Sequence, residues 1–149
     1  MAGYSNQKVF ILYEDEHLLV VKKPFGMESQ RGKSFAMDQE SLLRGYLSSK
    51  TKTDNPYLAV VHRLDRPVAG VMVYAKTKKA AADLSAQLQT ENFSKKYEAV
   101  VSGIVPACEG RLEDYLTADK RTGTTSVSSK ADPLAKKAVL TWKEIAREE

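Results

Sequence analysis

The sequence has little from which to build a cysteine- or histidine-based centre. Cys108 is its single cysteine, so it has no partner for an internal disulfide and no second sulfur for a metal. His17 and His62 are the only histidines and lie far apart in the chain, which argues against a zinc cluster. Long apolar runs are missing as well. None approaches the ~18–20 residues that a membrane span needs. The opening Met1-Ala2-Gly3-Tyr4-Ser5-Asn6-Gln7 lacks the charged-then-apolar pattern of a secretory signal, so a cytoplasmic protein is expected. The glycines do not form a dinucleotide fingerprint or a G-x-S-x-G elbow. Gly32-Lys33-Ser34 has the ending of a phosphate-cradling loop, but Met27 stands where that loop needs its first glycine.

What is present suits an ordinary globular protein. A chain of 149 residues, 42% of them hydrophobic, can form one domain with a real core. The 23 lysines and arginines exceed the 19 acidic residues, giving +4. That leans toward a polyanionic partner, since cations neutralise phosphates. So small an excess fits a merely basic soluble protein equally well.

Apolar periodicity supplies the elements. Residues 9–13 and 18–21 read as two strands joined by the polar turn Glu14-Asp15-Glu16-His17. Pro24 and Gly26 close the second strand, because proline lacks a ladder donor and glycine permits the turn. Residues 30–34 are polar and read as loop. Residues 41–50 place Leu42, Leu43, Tyr46 and Leu47 on one helical face. Residues 58–61 form a short strand that runs into His62-Arg63-Leu64-Asp65, and Pro67 keeps the following backbone out of a helix. Residues 71–75 read as a core strand. Thr77 caps a helix to about residue 90, with Ala80, Ala81, Leu84 and Leu88 inward. Residues 97–101 and 138–142 read as further strands, with a turn at Arg121-Thr122-Gly123. No repeat, low-complexity tract or linker interrupts them. The expected architecture is α+β: a mixed, largely antiparallel sheet holding residues 18–21, 71–75, 97–101 and 138–142 together, with the two helices packed on it.

One constellation stands apart. His62-Arg63-Leu64-Asp65-Arg66-Pro67-Val68-Ala69-Gly70 lies between two strands and closely resembles the H-R-L-D-x-x-x-x-G signature of the RluA family of RNA pseudouridine synthases. The stretch from Ile11 through Lys22-Lys23-Pro24-Phe25-Gly26 is similar to that family's opening hairpin and K-P-x-G motif. Lys95-Lys96-Tyr97-Glu98-Ala99-Val100-Val101-Ser102-Gly103 resembles its K-x-Y-x-A-x-V-x-G segment, and Ala135-Lys136-Lys137-Ala138 also fits. The likeness covers nearly the whole chain in the right order. Ala69 departs from the usual Thr or Ser. The family's G-R-x-H-Q-I-R-type segment, which supplies a basic partner for the catalytic aspartate, has no counterpart before Glu149. The resemblance therefore implies that residues 1–149 are the N-terminal and central part of a single catalytic domain with the pseudouridine synthase fold. It also implies weak RNA binding and little turnover by these residues alone.

The implied activity is isomerisation of a uridine in ribosomal or transfer RNA to pseudouridine. That reaction enlists no cofactor or metal. Asp65 is the implied catalytic carboxylate, with Arg63, Arg66 and Tyr97 toward the RNA. A glycosidase needs two carboxylates, but an isomerase that keeps its leaving group can work with one. Asp65 can serve as nucleophile or as base, and the sequence leaves both open. Arg63 and Arg66 beside it favour its ionised form. The same three residues also suit a purely structural ion pair. Tyr97 can stack on a base or belong to a core, and Arg63 can brace the loop or meet RNA. His62 reads as a hydrogen-bonded structural histidine, and Lys22-Lys23 as a solvated strand end with phosphate contact as the alternative. Two other functions remain beside the synthase. One is a catalytically incomplete RNA-binding fragment of such an enzyme. The other, weaker for want of a second carboxylate, is a small-molecule glycosidase built on Asp65.

Overall fold

A computed structural model describes residues 9–32, 37–90, 93–105, 107–119 and 121–147. Lys33 and Ser34 of the loop-like Gly32-Lys33-Ser34 lie outside the described residues. The chain forms two compact units, Met1–Lys96 and Tyr97–Glu149.

In the first unit, β1 (Phe10–Glu14) and β2 (Leu18–Lys23) form the expected hairpin. Its turn is fixed by Asp15, whose Oδ1 accepts from the backbone N–H of His17 (2.7 Å) and of Leu18 (2.6 Å). The short β3 (Ala59–Val60) and β4 (Gly70–Ala75) complete an antiparallel sheet of order β1-β2-β4-β3. Period-two alternation puts Leu19, Val21 and Lys23 of β2 on the buried face. Their β4 partners are Tyr74, Met72 and Gly70. The helix α1 (Gln39–Thr51) covers this face with Leu43 and Leu47, and Leu58 completes the core. Asp38 caps α1 by accepting from the Ser41 N–H at 2.9 Å. Arg44 ties α1 to the chain before β3 through the carbonyls of Pro56 and Leu58. The helix α2 (Lys78–Gln87) begins at the Thr77 cap and lies against β3 and β4. Its half-buried residues Ala80, Ala81 and Leu84, with Leu88 just beyond, are the inner face read from the sequence.

The second unit is a separate antiparallel sheet of order β6-β5-β7, made of β5 (Glu109–Ala118), β6 (Thr125–Ser128) and β7 (Lys136–Lys143). Gly123, at φ +73°, closes the turn between β5 and β6, with its N–H on the Asp119 carbonyl. In the β5–β7 ladder Gly110 faces Trp142. A Cβ at Gly110 would come within 2.8 Å of the indole Nε1, so only glycine lets the ring lie across β5 there.

The α+β class, the helices and the antiparallel pairing match the sequence reading, but the single sheet does not. Residues 138–142 pair with β5 in the second sheet, apart from β2 and β4. Residues 97–101 form no strand, and Tyr97, Val100 and Val101 are exposed. Propensity alone does not make a strand, because the segment also needs a ladder partner. The long strand β5 escaped the reading because Glu113 and Asp114 interrupt its apolar alternation.

Candidate active site

The site is assembled around the loop between β3 and β4. Asp65 opens a β-turn there, its carbonyl accepting from the Val68 N–H at 3.0 Å, with Arg66-Pro67 at the centre. The loop is held from below by the segment that follows β2. Gly26, at φ +80°, donates its N–H to the Arg66 carbonyl (2.9 Å) and accepts from Arg66 Nε (2.9 Å). Ser29 Oγ donates to the Leu64 carbonyl and accepts from the Leu64 N–H at 3.0 Å. The buried Tyr74 hydroxyl fixes Ser29 in turn, donating to its carbonyl at 3.0 Å. Gly70 leaves room for Leu64, whose Cδ1 would lie 3.1 Å from an added Cβ.

Lys23 is the residue that sequence reasoning missed. It is not a solvated strand end but fully buried, because the alternation that buries Leu19 and Val21 carries it inward too. Its ammonium donates to the carbonyls of Met27 (2.6 Å), Pro24 (3.2 Å) and Arg66 (3.4 Å). Burial lowers its pKa, and the nearby Asp65 carboxylate opposes that shift by attraction. The one available signal was its place two residues after Val21.

The Asp65 carboxylate is exposed and, among the described residues, accepts no hydrogen bond and forms no ion pair. The structural ion pair with its neighbouring arginines is therefore not formed. Arg66 spends its Nε on Gly26, and Arg63 is exposed without a hydrogen-bonded partner among the described residues. His62 takes the expected structural part: its Nε2 accepts from the Val73 N–H at 3.1 Å, which requires the neutral ring. Burial, helped by the charge of Lys95, lowers its pKa and keeps it neutral. Asp65, Arg63 and Arg66 thus share one loop of the first unit, whereas Tyr97, 62% exposed, begins the second.

What results is an open carboxylate on a loop whose backbone is fixed at Leu64, Asp65 and Arg66, with a buried cation beneath it. Such a group can attack an electrophilic carbon or accept a proton without first breaking an ion pair. Among the described residues no cluster of His, Cys, Asp or Glu is arranged to hold a metal. No described helix is long and apolar enough to cross a membrane.

The chain is similar to proteins of one family. Residues 17–149 match the family model described as RNA pseudouridylate synthase. The chain is 41% identical over 96 residues to ribosomal large subunit pseudouridine synthase D of Pseudomonas aeruginosa, covering 64% of this chain and 29% of that one. It is 38% identical over 109 residues to the dual-specificity RNA pseudouridine synthase RluA of Vibrio vulnificus, covering 73% of this chain and 41% of the relative. Among solved structures, Human RNA Pseudouridylate Synthase Domain Containing 4 superposes with a TM-score of 0.66 at 24% identity, over 87% of this chain and 51% of that one. Human RNA Pseudouridylate Synthase Domain Containing 1 gives 0.66 at 18% identity, over 95% and 54%. The fold is shared with both. The chain spans less than half the length of these two bacterial relatives.

Proposed function

The chain belongs to the RNA pseudouridylate synthase family, in its RluA branch, and from that membership we propose that it isomerises a uridine in ribosomal or transfer RNA to pseudouridine with Asp65 as the catalytic carboxylate. The observation that carries the assignment is the state of Asp65. It is exposed and unpaired among the described residues, on a loop held by Lys23, Gly26 and Ser29. A carboxylate without a protein partner can meet a substrate without first breaking an ion pair.

The chemistry balances within the nucleotide. The bond from C1′ to N1 breaks, the uracil turns, and a bond from C1′ to C5 forms. C5 gives up its hydrogen as a proton and N1 takes one up, so no water is consumed and no electrons change hands. Asp65 acts as nucleophile, holding the sugar or base while uracil turns, or as base toward the sugar. A uridine inside folded RNA must leave its stack to reach the loop.

RNA contact is supported by the distribution of charge. The first unit carries 15 lysines and arginines against 10 acidic residues, the second 8 against 9. Arg63, exposed and without a partner among the described residues, is assigned to a phosphate, as is the guanidinium of Arg66 beyond its Nε. Tyr97 is assigned to a base by stacking. The family match runs through both units, which supports treating them as parts of one catalytic domain.

Asp65→Asn keeps the shape of the side chain and removes its charge. In the full-length protein, release of tritium from 5-labelled uridine in RNA should fall to background while RNA binding persists. Release near the parent level would remove Asp65 from the chemistry.

A further inference from the structure

The turn that grips the Asp65 loop carries an aromatic ring that the core does not use. Phe25 is 74% exposed and lies outside the core cluster of the first unit. Leaving a phenyl ring in water forgoes the stabilisation that its burial would bring. The backbone on either side of it is fixed. The Pro24 carbonyl accepts from Lys23 Nζ at 3.2 Å, and Gly26 exchanges two hydrogen bonds with Arg66, each 2.9 Å. The ring therefore projects from a rigid rim, one residue from the clamp that sets the Asp65 turn.

Its surroundings select a partner. Arg66 is anchored to Gly26 through Nε alone, so the rest of its guanidinium makes no hydrogen bond among the described residues. Arg63 and Lys22 are exposed cations of the same unit. An apolar protein partner gains nothing from unpaired guanidinium groups, whereas a nucleotide offers a flat base and a phosphate together.

We propose that Phe25 is a stacking platform for a nucleotide flanking the target uridine, with the free guanidinium edge of Arg66 on the adjoining phosphate. This rests on the reading of the chain as an enzyme acting on RNA and adds a residue to its substrate site. Stacking takes any base, so Phe25 tightens binding and holds the substrate in place without reading sequence.

The test compares two short single-stranded RNAs: one with a central uridine between purines, and one with abasic residues in place of those purines. Phe25→Ala should weaken binding to the first by roughly five- to a hundredfold, the usual worth of one stacked base. It should leave binding to the abasic RNA unchanged, and Phe25→Trp should restore the difference. A merely structural phenylalanine would weaken both RNAs alike, and an idle one neither; either result overturns the proposal, as does the absence of measurable binding by the parent chain. The catalytic reading is tested apart from this. If Asp65→Asn keeps tritium release while Phe25→Ala shows the abasic-dependent loss, the role of Asp65 falls and that of Phe25 stands.

Discussion

Ser29 and Leu64 exchange two hydrogen bonds through one hydroxyl: Ser29 Oγ donates to the Leu64 carbonyl and accepts from the Leu64 N–H. Ser29 is buried, and its own carbonyl is held by the Tyr74 hydroxyl. The pair joins the chain after β2 to the residue before Asp65, so the orientation of the carboxylate depends on a serine 35 positions from Leu64.

Ser29→Ala removes both bonds and leaves the Leu64 N–H and carbonyl without that partner. An orphaned buried group costs about 1–3 kcal/mol, so unfolding in urea should show a loss of that size. Turnover should fall tenfold or more with KM little changed, because the carboxylate loses its fixed position before RNA loses any contact. Amide exchange at Leu64 should quicken. Unchanged exchange at Leu64 together with parent-level turnover would show that the hydroxyl does not set the loop.

Glu14 contributes to the acid stability of the first unit. Its Oε2 accepts from Tyr46 Oη and Lys50 Nζ, and its Oε1 from Lys76 Nζ, each at 2.8 Å. Burial alone would raise its pKa, but the bonds from Lys50, Lys76 and Tyr46 outweigh burial and bring it from 4.5 to about 2. A carboxylate depressed on folding stabilises above its unfolded value and loses that contribution as pH falls from 4.5 toward 2. Lys50 is half exposed and screened by solvent, so the contribution at neutral pH is on the order of 2 kcal/mol. Glu14→Gln should therefore be less stable than the parent at pH 7 and nearly equal to it near pH 2. His62 acts separately. Its lowered pKa removes stability as pH falls below 6.5, equally in parent and variant. A parent–variant gap that stays constant from pH 7 to pH 2 would contradict the assignment to Glu14.

The particular residues show where sequence carries structure and where it stops. The β1–β2 hairpin, the inward face of α1 and the Thr77 cap were legible because each depends on neighbours within a few positions. The Asp65 loop was legible because a strand runs into it and Pro67 follows. Lys23 was not. Two adjacent lysines at a strand end suggest solvent, and against that stood only the alternation from Leu19 and Val21; the β2–β4 register sets Lys23 opposite Gly70, on the core side. Ser29 carries no local signal, since its partners Leu64 and Tyr74 are distant in sequence. The split into two sheets was hidden for the same reason: which strands share a ladder is decided by pairing, and periodicity within one strand is silent on it.

Lys23 gives the sharpest separation between holding the fold and serving the site. Lys23→Met keeps an unbranched stem of similar length and removes the ammonium. For stability two effects oppose each other. The carbonyls of Pro24, Met27 and Arg66 lose a shared donor, each loss worth about 1 kcal/mol. Against this, a charge need no longer be kept out of water, which relieves a burial penalty of several kcal/mol, and the protein should stay folded with a melting temperature within a few degrees of the parent. For the reaction nothing compensates. The Arg66 carbonyl keeps the Gly26 N–H and loses its second donor, and Asp65 loses the nearby opposite charge of Lys23. A preorganised charge of this kind is commonly worth about a hundred- to a thousandfold in rate. Lys23→Met should therefore lose tritium release by about that factor while melting as a cooperative unit and still binding RNA. Lys23→Arg should not rescue it, because Lys23 is fully buried and a larger planar group would have to displace the packing around it. Two measurements on one preparation, a thermal melt and tritium release, decide the matter. A folded Lys23→Met that turns over at the parent rate would reduce Lys23 to a buried prop for the turn.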